Sequence, residues 1–170
     1  MRQYSMNIDE LFTNKEHLDK EILFYTNKKQ IRTIKQNKEL VEAHIKKARH
    51  NIAFYTINKN NTNFNDWLIV ILYYSLYHCA LALITKKQYS SKNHYATILL
   101  LIKEYAISKE EAQLIKELSI NKEDAKLYTN LKEDRHNASY HTNTLFNKEK
   151  MHYYEDNVLD FMNKTEALIK

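Results

Sequence analysis

An all-α fold is predicted by three features of this sequence. Apolar residues recur at three-, four- and seven-residue spacings, asparagine-rich polar breaks separate those runs, and no alternation of apolar and polar residues is long enough to argue for a sheet. At 170 residues the chain suits a single domain, which at this size buries roughly 70% of the surface its unfolded chain exposes. It contains no Gly and no Pro. Glycine-rich phosphate loops, the dinucleotide-binding fingerprint and the Gly-x-Ser-x-Gly elbow are therefore excluded. Gly and Pro codons are GC-rich, whereas the abundant Lys, Asn, Ile and Tyr have AT-rich codons, so the bias reads as genomic. Asparagine is then expected to take over helix caps and left-handed positions. The breaks fall at Asn27, Asn58 to Asn63, Asn93, Asn121 and Asn143 to Asn147.

Taken in order, the first helix is expected from Ile8 to Tyr25, with Leu11, Leu18, Ile22 and Tyr25 on its apolar side. A second, from Thr33 to Ile57, carries Leu40, Ile45, Ala48, Ile52 and Tyr55 on one side and Lys46, Lys47 and Arg49 largely on others. The third begins near Asp66, which can cap it or favour its positive N-terminus, and runs through an almost wholly apolar stretch to Ile84. At about eighteen residues this stretch meets the lower limit for a membrane span. Ser75, His78 and three tyrosines make it too wet for one, so a central helix packed on all sides, and no membrane, is the expectation. A polar connection from Lys86 to Asn93 leads to a helix from His94 to Tyr105. Ser108-Lys109-Glu110-Glu111 is a capping box, starting a short helix that ends near Leu118. Asn121 starts the next helix, and Asn147 caps the last, whose apolar side is Tyr154, Val158, Phe161, Leu168 and Ile169.

Cys79 stands alone, so no intrachain disulfide forms. Met1 to Glu10 is polar and has no signal-like apolar core, which points to the cytoplasm. A net charge of +5 is compatible with RNA as a partner, although solvated lysine faces account for it equally.

The richest chemistry lies in Arg135-His136-Asn137-Ala138-Ser139-Tyr140-His141, towards the end of a predicted helix. An imidazole can take a proton from a ribose 2'-hydroxyl near neutral pH, and a guanidinium can hold a phosphate as its charge builds. These are the parts of a metal-free ribonuclease. On an ideal helix Arg135 and His141 sit about 120° apart and about 9 Å along the axis. They converge only if the helix unwinds or if two copies meet across a two-fold axis, so catalysis here calls for a homodimer. Zinc is not expected: there is no Cys pair, and His136 and His141 lack the spacing that puts two ligands on one helix face. No cofactor is expected either.

The same residues resemble a known family. Arg135 and His141 resemble the arginine-x4-6-histidine motif of the HEPN domain, a helical bundle of prokaryotic RNA-cutting and nucleotide-related proteins. Tyr73-Tyr74-Ser75-Leu76-Tyr77-His78 is similar to the Tyr-Tyr-Ala-Leu-Phe-His-like core of a HEPN subgroup, Ser91-Lys92-Asn93-His94 to its Ser/Thr-His turn, and Arg135 to Tyr140 to its Arg-x-x-Ala-x-Tyr block. The resemblance covers residues 38–170 and leaves 1–37 as an N-terminal helical extension packed on the bundle.

It implies a HEPN-like bundle of long antiparallel helices with short connecting helices, acting as a metal-independent endoribonuclease in a toxin-like or defence role. Arg135 and His141, with His136 as the polar residue after the arginine, would be catalytic. Arg135 would stabilise the phosphorane and His141 would act on the 2'-hydroxyl. Tyr140, Asn137, His94 and Lys92 would contact RNA or a nucleotide. A minimal nucleotidyltransferase antitoxin is the implied partner. In toxins so paired, a Tyr two residues after the motif His can be adenylylated; that position here is Asn143. The alternative is a non-catalytic HEPN module that binds a nucleotidyltransferase or a nucleotide, because in the subgroup with this tyrosine block the position after the tyrosine, here His141, is often acidic or small, and the resemblance implies that such members lack nuclease activity.

Other residues read more plainly. His78 is expected to be a hydrogen-bonded core histidine, Tyr73, Tyr74 and Tyr77 to pack, His94 to fix a helix start, and Lys86, Lys87 and Lys92 to face solvent. For Arg135 the structural reading is an ion pair with Glu133 or Asp134.

Overall fold

The long apolar stretch becomes the axis of the fold. A computed structural model describes residues 8–60, 64–119 and 148–170, and among them it shows an all-α bundle of seven helices with one two-stranded ribbon. The elements are α1 (Ile8–Thr13), α2 (Lys15–Asn27), β1 (Ile31–Thr33), α3 (Lys38–Asn58), α4 (Asn65–Lys86), β2 (Tyr89–Ser91), α5 (His94–Tyr105), α6 (109–119) and α7 (Lys148–Ile169).

Helix α4 is buried around most of its circumference: Leu68, Ile69, Leu72, Tyr73, Leu76, Cys79, Ala80, Leu83 and Ile84 are each at most 2% exposed. Each such Leu or Ile contributes about 1.5–3 kcal/mol. It is the one described helix long and apolar enough to cross a membrane, and most of that apolar stretch lies inside the bundle. Asp66 does not cap it. Phe64 occupies the cap position and makes no side-chain cap bond, while Asp66 lies in the first turn, where its charge still meets the helix dipole.

Helix α3 runs antiparallel to both α4 and α7. Arg49 pairs with Glu166 at 2.7 Å, and one end of α3 meets α7 where Lys59 pairs with Glu155 at 2.8 Å. Helices α4 and α7 run parallel. Lys86 Nζ, in the last turn of α4, donates to the carbonyls of Leu168 and Ile169, two otherwise unmet acceptors at the end of α7. Helix α5 lies against α4, its Tyr105 hydroxyl donating to the Leu83 carbonyl at 2.8 Å. Helix α2 covers α5 in the opposite direction, tied by Lys103 to Asp19 and by edge-on packing of Tyr25 and Tyr95. The capping box of α6 forms as expected, with Ser108 N–H donating to Glu111 and Glu111 N–H donating to the Ser108 hydroxyl.

Four expectations are corrected. The first helix is divided at Asn14, whose extended backbone lets its side chain accept the His17 N–H and so start α2 afresh. The second begins at Lys38, capped by Asn37, because Ile31–Thr33 is drawn into an antiparallel pairing with Tyr89–Ser91, register Ile31↔Ser91 and Thr33↔Tyr89. Three residues are too few to show alternation, so this ribbon left no sequence signal. Leu40 and Leu168 are 37% and 40% exposed, while Val41 and Thr165 take the buried positions beside them. Finally, asparagine caps α2, α3 and α5, but the described left-handed residues are Lys29, Gln88 and Ala106. Each follows a helix end at which glycine would be usual, and hydrogen bonds such as Ala106 N–H to Ile102 carbonyl hold the conformation. The boundary between 37 and 38 does not divide the core: Ile8, Leu11, Leu18 and Ile31 join the same buried cluster as α4, α5 and α7.

Two stability measurements follow. Leu72→Ala is expected to cost about 2–5 kcal/mol in urea unfolding, since Leu72 is fully buried on all sides. Ala106→Gly is expected to raise stability by about 0.5–1 kcal/mol, because a left-handed alanine carries a Cβ clash that glycine lacks.

Candidate functional site

The turn from Ser91 to His94 starts α5 by local bonding alone. Asn93 accepts the Ala96 N–H at 3.0 Å, while the Ser91 hydroxyl donates to the Asn93 carbonyl and accepts its N–H. With the turn fixed, His94 is held against α4. The Tyr73 hydroxyl hydrogen-bonds its imidazole, and the Tyr77 ring meets it edge-on at 4.6 Å between centroids. Tyr73 and Tyr77 stack at 5.6 Å, and burial pushes the Tyr77 hydroxyl above its ordinary pKa. Such aromatic contacts stabilise by about 0.5–1.5 kcal/mol beyond area. Lys92 is exposed on the turn.

Of the sequence-predicted site, the structure therefore brings His94 to the tyrosines of α4 and leaves Lys92 in solvent beside them. Arg135, His136, Asn137, Tyr140 and His141 lie outside the described residues.

Three features were missed or incompletely read. His78 is hydrogen-bonded as expected, but its partner is another imidazole: Nδ1 of His44 on α3 lies 3.0 Å from Nδ1 of His78. One ring must donate and the other accept, so the pair requires at least one unprotonated Nδ1. Burial, His44 and Lys47 lower the His78 pKa to about 4, and burial also lowers that of His44. A signal existed, since His44 falls in the helical stripe of Val41, Ala48 and Tyr55.

The second feature is Glu155, only 8% exposed on α7. It accepts from Lys59 at 2.8 Å and from the Tyr55 hydroxyl at 3.3 Å, with His152 Nδ1 at 3.7 Å. Burial and the Glu155 charge push the Tyr55 hydroxyl up. These residues and Lys148 line a cavity of about 170 Å³. Its carboxylate is fully engaged, so the cluster serves to tie α3 to α7 where the chain enters α7. The third is Cys79, whose thiol burial pushes up to about 12. It is a protonated core group and not a nucleophile.

The His44–His78 pair makes stability pH-dependent. His78 has a folded pKa below its ordinary 6.5, so the unfolded chain binds the proton first and stability is lost as pH falls from about 6.5 to about 4. The urea midpoint should drop across that window, and His78→Asn should flatten the decline relative to the parent. Tyr73→Phe should cost about 1–2 kcal/mol, because the half-buried His94 ring loses its hydroxyl partner.

Compared with protein-family models and with curated proteins, the chain matches none.

Proposed function

We propose that this protein is a metal-independent endoribonuclease of the HEPN type, acting as a homodimer in the cytoplasm and held in check by a nucleotidyltransferase partner. One observation supports this reading above the others. The two sequence blocks that resemble the HEPN subgroup outside the arginine–histidine motif, Tyr73 to His78 and Ser91 to His94, form one structural unit through the Tyr73 hydroxyl and Tyr77 ring on His94. The all-α bundle is the scaffold such a domain needs.

In this reading the chemistry belongs to Arg135 and His141. His141 draws the proton from a 2'-hydroxyl, the resulting oxygen attacks the adjacent phosphorus, and Arg135 balances the charge on the phosphorane before the P–O5' bond breaks and the 5'-oxygen takes a proton from water, leaving a cyclic phosphate and a 5'-hydroxyl. Two copies would supply the cleft that one straight helix cannot. The test is RNA cleavage by the purified chain in the presence of a chelator. Arg135→Ala and His141→Ala should each lower the rate at least about 100-fold while leaving the helical circular dichroism unchanged. Cleavage that survives both substitutions overturns this reading, and a chain that never cleaves yet forms a stable nucleotidyltransferase complex replaces it with the non-catalytic module.

A further inference from the structure

We draw no further inference here: the strongest candidate, the half-buried His44–His78 cluster between α3 and α4, carries nothing beyond the acid sensitivity already derived, because its two Nδ1 atoms bond each other at 3.0 Å and no group of three or more metal-binding side chains occurs among the described residues.

Discussion

Burial of α4 on nearly every side is the constraint from which the other contacts follow. A helix whose Leu, Ile and Tyr residues extend around its circumference cannot rest on a single neighbour. It is enclosed by α3, α7, α5 and the ribbon, and α1 and α2 complete the core through Leu11 and Leu18. Because α2, α3 and α7 each bury one stripe, their other faces remain largely polar, and the ion pairs at Arg49, Lys103 and Lys164 lie at the outer seams. Exposed pairs of this kind fix register more than they add stability.

Polar groups that do enter the interior are placed where helices must be held in one register. His44 and His78 join α3 to α4. Glu155 gathers Lys59 and Tyr55 and so joins α3 to α7. Tyr73 joins α4 to the start of α5 through His94. Each is a directional bond among nondirectional apolar contacts, and each selects one arrangement from the several that apolar packing alone would tolerate.

The functional reading joins two regions. The run from Arg135 to His141 follows α6 in the chain and precedes α7, whereas the tyrosine–histidine unit belongs to α4 and α5. The faces of α4 differ: Tyr73 is buried and bonded, while Trp67 is half exposed. One helix thus turns a bonded tyrosine inward and a tryptophan outward, a division that follows from side chains on successive faces of a single helix.

Much of the fold was legible in one dimension because helices are local. The span of α4, the start of α5 at His94 and the capping box at Ser108 depend on spacings of three or four residues, so the sequence alone determined them, as it determined the all-α class. The candidate catalytic residues were likewise nominated by residue type and resemblance alone. Only the tertiary structure decided that Ile31–Thr33 would pair with Tyr89–Ser91, that His44 would be the partner of His78, that Glu155 would be enclosed by Lys59 and Tyr55, and that left-handed turns would fall on Lys29, Gln88 and Ala106. Those outcomes join residues tens of positions apart or depend on where a neighbouring helix obliges the chain to turn. Such long-range geometry arises from packing apolar faces together, and no local spacing in the chain encodes it.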